Sequence, residues 1–177
     1  MKMSGKLCLV AFFLCLAVPS PAGAGSAKSI TVSAAISLKN AFAEIGRLYE
    51  SRYGIKCILN FGASGDLLKQ IAGGAPVDLF APAAQMEMDA ADWQGLIATG
   101  TRADFVANGV VLIVPSGTKT SLKSFEGLSA PEIGKIAVGN PRTVPAGRYA
   151  EEVFGFYRLL PSLKDKLIYA ETVRQVL

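Results

Sequence analysis

The sequence predicts an α/β protein of two lobes, each a mostly parallel sheet flanked by helices. Two observations carry this expectation. Short, nearly continuous apolar runs alternate with amphipathic stretches, the pattern of buried parallel strands joined by crossover helices. Near Asn108 the alternation breaks: Asn108-Gly109 is a bend signal, and "VVLIVP" then opens a strand where another helix is due. A boundary is therefore expected there, with a first lobe over residues 25–107 and a second over 108–177.

The first 24 residues stand apart from both lobes. Lys2 and Lys6 precede an apolar run from Leu7 to Val18, and Ala22-Gly23-Ala24 follows. That is the order of a secretory signal peptide cleaved after Ala24. The run is shorter than the ~20 residues a membrane span needs.

In the first lobe "SITVSAA" (Ser29–Ala35) reads as a strand. A helix follows from Ser37, with Leu38, Ala41, Phe42, Ile45, Leu48 and Tyr49 recurring as one apolar stripe. "IKCILNFGA" is the second strand, and "SGDLLKQIAGG" a helix opened by Ser64 and stopped by Gly73-Gly74. "VDLFAPA" is the third strand, and Gln85 to Gln94 the third helix. The second lobe starts with "VVLIVP". A short helix is expected around Ser121–Leu128 and another near Ser129, with Pro131 in its first turn. The strand "KIAVGNP", a helix from Pro145 to Leu160, and the strand "KLIYAE" come next. "TVRQVL" begins a further helix as the chain reaches Leu177, so the second lobe reads as incomplete.

Composition narrows the function. Of 177 residues, 51% are hydrophobic and 18% charged, enough apolar material for a folded core. Loss of Lys2 and Lys6 with the signal lowers the net charge from +4 to +2, and no Lys/Arg block appears, so nucleic acid is not an expected partner. Histidine is absent, which excludes Ser-His-Asp and Cys-His catalysis and histidine-ligated metals. Cys8 and Cys15 leave with the signal, and neither follows the small residue that lipid attachment requires. Cys57 remains alone in "KCILNF", a buried small hydrophobe without a disulfide partner.

What remains for chemistry lies at the strand-to-helix junctions. "AAISLKN" places Ser37 at a helix N-cap, "FGASGDLL" does so with Ser64, and "TVPAGRYA" presents Ala146 and Gly147 at a helix start. A fourth and weaker junction, "AETVRQVL", puts Val173 in a first turn. Helix starts leave N–H groups unpaired and carry roughly half a positive charge each, so four together present about +2 without an ionised side chain. Small residues allow close backbone approach, and each serine adds a hydroxyl donor. Such a set is suited to an anion. Taken singly, each serine is also an ordinary helix cap.

The segments "ITVSAAISLKNAF", "NFGASGDLLKQIAGGAPVDLFAPA", "GVVLIVP" and "AVGNPRTVPAGRYA" resemble, in order, those of the periplasmic molybdate-binding proteins of ABC importers. The resemblance covers nearly all of the chain after the signal. It implies a two-lobed type II periplasmic-binding-protein fold that clamps a tetrahedral oxyanion, molybdate and also tungstate, between its lobes. Carried over position by position, Ser37 and Ser64 supply hydroxyl and amide donors, and Ala146 and Val173 supply backbone amides. These four reach the metal only through the oxyanion, with no direct ligation. The resemblance further implies a periplasmic monomer that delivers its ligand to a membrane permease, without a cofactor and without enzymatic activity. Two departures stand out. The family continues past the end of this chain with a tyrosine donor and a return strand, and Ala63 and Gly65 flank Ser64 where serine-rich versions carry more hydroxyls.

Other readings stay open on the residues alone. A carrier of sulfate, thiosulfate or phosphate would use similar donors. A hydrolase would need a serine–lysine pair, such as Ser37 or Ser64 with Lys39 or Lys69. "PSGTKTS" lacks the glycine and Gly-Lys-Ser/Thr order of a phosphate loop. Asp66 complements a helix start, and Asp78 begins a strand. Lys39, Arg148 and Arg174 belong to solvated helix faces, with anion steering as the alternative. Trp93 is expected to be partly buried.

Overall fold

The structure, a computed structural model, describes residues 28–120 and 122–177. The expected signal segment over residues 1–24 lies outside the described residues, as does Ser121. Among the described residues, five strands form two separate parallel sheets. In the first, β1 (Ser29–Ala35) is central between β2 (Lys56–Gly62) and β3 (Leu79–Ala81). The β1–β2 register runs from Ser29 opposite Lys56 to Ala35 opposite Gly62. Because β1 is covered on both faces, Val32, Ser33, Ala34 and Ala35 are buried in succession, whereas the edge strand β2 alternates half-buried and exposed residues. Asp78 locks the start of β3: its carboxylate accepts the Thr31 N–H at 2.7 Å, and its own N–H donates to the Thr31 carbonyl.

Helix α1 (Lys39–Tyr53) lies over β2, with Gly46 against Cys57 and Leu59. Its buried line is narrower than the expected stripe. Leu38 and Phe42 join the core of the first sheet and Gly46 is buried, but Ile45 and Leu48 are 55% and 64% exposed. Among the described residues no strand lies beyond β2 to cover them. Helices α2 (Ser64–Ala72) and α3 (Gln85–Trp93) complete this half. Trp93 ends α3 at 95% exposure, which corrects the expectation of partial burial.

The second sheet pairs β4 (Ile136–Gly139) with β5 (Leu167–Ala170) in parallel. Its core gathers Leu128, Ile136, Val138, Phe154, Leu159 and Leu163. The long helix expected to Leu160 is two: α4 (Pro145–Phe156) and the short α5 (Leu160–Leu163). Between them Arg158 has a left-handed φ of 57°, and Pro161, without an N–H, cannot continue a helix begun upstream. α6 (Val173–Val176) closes the described elements.

Two second-lobe expectations fail for identifiable reasons. "VVLIVP" is not a strand: it has no neighbour to pair with, and Val110, Val111, Ile113 and Val114 are exposed, while Leu112 packs on the second core. No helix starts near Ser129. A 3₁₀ turn at Glu126–Ser129 ends instead at Ala130, whose extended backbone (φ −59°, ψ 142°) is what a following proline favours. The Lys166 ammonium gathers the freed carbonyls of Leu128, Ser129 and Ala130 at 3.2, 3.1 and 2.7 Å.

Leu163 is fully buried in the second core. Leu163→Ala is expected to cost about 2–5 kcal/mol, read as a lower denaturation midpoint with little change in slope.

Candidate functional site

All four residues singled out in the sequence lie just beyond the C-terminal ends of parallel strands: Ser37 after β1, Ser64 after β2, Ala146 after β4 and Val173 after β5. Neither serine is an N-cap. β1 runs straight into a 3₁₀ turn at Ile36–Leu38 that contains Ser37, and the cap of α1 is Leu38. α2 is capped by Ala63, whose backbone is extended (φ −67°, ψ 137°), and Ser64 is its first helical residue. The correction follows from geometry, since a cap must keep its backbone out of the helix. It leaves the Ser37 hydroxyl free of capping, on an exposed residue. Ser64 is buried, and its oxygen accepts the Ala83 N–H at 3.0 Å. That bond occupies a lone pair and leaves the O–H proton to donate elsewhere.

Among the described residues, the N–H groups of Ser37, Ser64, Ala146 and Val173 donate to no backbone carbonyl outside their own elements. As first-turn residues they have no partner within their helices either. On the second sheet, these starts are fixed by an asparagine and two glycines. The Asn140 carbonyl accepts the N–H groups of Thr143 and Val144, its side-chain oxygen accepts Arg142 N–H, and its amide nitrogen donates to Glu171 at 3.1 Å. The loop before α4 is thereby tied to the loop before α6. Gly139 and Gly147 bring the first turn of α4 onto the end of β4: a Cβ on Gly147 would collide with the Gly139 carbonyl, and one on Gly139 would lie 2.6 Å from Val144.

The two halves meet through the loops and helix starts at these junctions. The Gly65 N–H donates to the Thr143 carbonyl at 3.2 Å, so α2 opens against the loop that leads into α4. α6 packs on the 3₁₀ turn that carries Ser37, and Arg174 donates to the Ile36 carbonyl at 3.3 Å and to Asn40 at 2.9 Å. One Nη of Arg148 donates to both Glu87 oxygens at 2.6 and 2.8 Å, with side chains only 16% and 5% exposed. Arg148 and Arg174 are thus bridging groups between the sheets; this overturns the reading of Arg148 as part of a solvated face, whereas Arg174 bridges while remaining exposed. The sequence carried one signal for this: Glu87 falls four residues before Ala91 on the buried face of α3, and a buried carboxylate requires a partner.

Other charged groups near the junctions are ordinary. Asp66 and Lys69 form an exposed pair at 3.0 Å, and Lys39 is exposed at the start of α1. Cys57 is half-buried and unpaired; burial, then the nearby Glu50, pushes its thiol upward. Two surface depressions lie away from the four junctions. One of about 390 Å³ is lined by Leu112, Val114, Leu122, Phe125 and Tyr157; the other, of about 290 Å³, by Asp89, Asp92, Trp93 and Arg102. Among the described residues no cluster of three or more His, Cys, Asp or Glu groups is placed to hold a metal ion.

Residues 30–177 match the family described as bacterial extracellular solute-binding protein. A chain of Bacillus subtilis (strain 168) named "Putative ABC transporter substrate-binding lipoprotein YvgL" is 40% identical over 150 residues, covering 84% of this chain and 57% of that one. The molybdate-binding protein ModA of Escherichia coli (strain K12) is 36% identical over 152 residues, covering 84% and 59%. The solved periplasmic molybdate-binding protein of Azotobacter vinelandii superposes with a TM-score of 0.67 at 22% identity, covering 83% of this chain and 64% of its own, a likeness of fold. The chain spans less than three-fifths of the length of these two curated relatives.

Gly147→Ala is expected to push α4 off the end of β4, because the added methyl meets backbone and not a yielding side chain. A loss of about 1–3 kcal/mol and increased exchange of the residue 147 and Arg148 amides, which donate to the Val144 carbonyl, would register it. An unchanged melting midpoint would refute the close approach.

Proposed function

The chain belongs to the bacterial extracellular solute-binding protein family, and from that premise we propose that it captures molybdate, and tungstate with it, between its two sheets for an ABC importer. Support comes above all from one observation: four helix starts with unengaged N–H groups lie at the ends of strands β1, β2, β4 and β5, where bridges hold the two sheets together. The names of the relatives, which refer to molybdate and to ABC transporters, choose the ligand and the partner among the anions such a site accepts. In this reading the protein acts outside the cytoplasm, reached through the N-terminal signal, and works as a monomer with a membrane permease.

Ser37 and Ser64 donate hydroxyl and amide hydrogens from the first sheet, and Ala146 and Val173 donate amides from the second. Ser64 is suited to this role because its oxygen accepts the Ala83 N–H while its hydroxyl proton stays available to donate. The oxyanion is recognised by dipoles and hydroxyls of set spacing, so cavity size separates larger tetrahedral anions from smaller ones. The molybdenum atom is reached only through its oxygens.

A thermal-shift panel of molybdate, tungstate, sulfate and phosphate tests the ligand. The expected result is stabilisation by the first two at concentrations where sulfate and phosphate do nothing; a shift with sulfate alone overturns the assignment. A hydrogen bond to a charged group is worth ~1.5–3 kcal/mol. Ser37→Ala and Ser64→Ala are therefore each expected to weaken molybdate binding roughly ten- to hundredfold by calorimetry. Equal affinity in wild type and both variants would remove the serines from the site.

A further inference from the structure

We propose that Glu87 and Arg148 form a latch that holds the two sheets closed and sets how long a captured anion stays, without either side chain touching the anion. Among the described residues β1, β2 and β3 all precede β4 and β5, with one passage between the two sheets. That passage includes residues 101–115, which carry no regular structure. An irregular passage leaves the orientation of the sheets to contacts made elsewhere. The bridges at the junctions are such contacts, and the Glu87–Arg148 pair is the most buried of them.

The latch is wired to the site from both ends. Glu87 is the third residue of α3, and α3 begins two residues after Ala83, whose N–H holds the Ser64 oxygen. Arg148 lies two residues after Ala146 in the first turns of α4. A short path therefore runs from Ser64 through Ala83 and Glu87 to Arg148 and Ala146, linking a donor on each sheet. Opening would separate a carboxylate 5% exposed from a guanidinium 16% exposed. Each would then need a new hydration shell to replace its partner. Arg174 repeats the arrangement at the other pair of junctions, where it follows Val173 and holds Ile36 and Asn40. Its exposure makes it the weaker bridge. Arg148 and Glu87 are positioning residues, and by meeting each other they keep both full charges away from the anion.

The first test needs no ligand. Small-angle scattering of the chain and of Glu87→Gln is expected to show a larger maximum dimension in the variant, with its circular dichroism spectrum retained. Identical scattering profiles would overturn the latch. Should Glu87→Gln fail to fold, the paired replacement Glu87→Gln with Arg148→Met removes both charges at once and is measured the same way. The second test rests on the oxyanion reading. Dissociation of molybdate by stopped-flow tryptophan fluorescence is expected to be about tenfold faster or more in the variant, with the association rate little changed. A variant with lower thermal stability but the wild-type dissociation rate would reduce the pair to a structural contact, and a slower rate would mean that a freed Arg148 binds the anion. Absence of molybdate binding in the wild type removes the proposed ligand, while the scattering comparison still decides the latch.

Discussion

A carboxylate from one half of the molecule and a guanidinium from the other, both taken out of water, form the contact on which the arrangement of the two sheets depends. Removing either partner alone leaves a largely buried charge without its counter-ion, which costs far more than the pair itself gains. Glu87 and Arg148 therefore make the closed arrangement strongly specified even where their net contribution to stability is small. The Gly65–Thr143 backbone bond and the Arg174 bridges act on the same interface, but they expose more to solvent and have more ways to rearrange.

On the proposed oxyanion reading, the pair also explains how a site flanked by arginines would rely on neutral donors. Arg148 and Arg174 follow the Ala146 and Val173 amides by two residues and one, close enough to dominate the local field if left free. Glu87 neutralises the first, and a carbonyl and an asparagine oxygen engage the second. What faces the junctions is then a set of backbone dipoles and two hydroxyls. Dipoles fixed at helix starts discriminate by distance, because their attraction falls quickly beyond the first turn. A mobile full charge would attract every dianion alike.

The first sheet was legible because local signals and global packing agree there. β1 has the predicted bounds, and α2 starts at Ser64 and stops before Gly73-Gly74 as the sequence indicates. The second sheet was read less well where a local pattern needed a distant partner. "VVLIVP" has every propensity of a strand, yet propensity does not supply a neighbouring edge. The helix expected near Ser129 placed Pro131 in a first turn, and the backbone of Ala130 took the extended alternative instead. The placement of Ser37, Ser64, Ala146 and Val173 after strands was legible from the apolar runs that precede them. Their capping geometry was not, since a one-residue shift between N-cap and first helical residue leaves no mark in composition. The bridges were hidden for a different reason: Glu87 and Arg148 are 61 residues apart, and only the facing of two sheets brings them together.

Closure and release pull the latch in opposite directions. The apparent affinity of a two-state binder is its closed-state affinity reduced by the fraction of molecules able to close, so a tighter latch raises affinity until nearly all molecules are closed and then adds nothing further. Beyond that point it only slows opening, which on the proposed function would delay hand-over of the ligand. One Nη atom shared between both Glu87 oxygens, in place of two parallel bonds from the guanidinium edge, is the weaker of the geometries open to such a pair. A latch of that form specifies which faces meet while keeping their separation within reach, and a paired-edge version at the same position would favour retention over delivery.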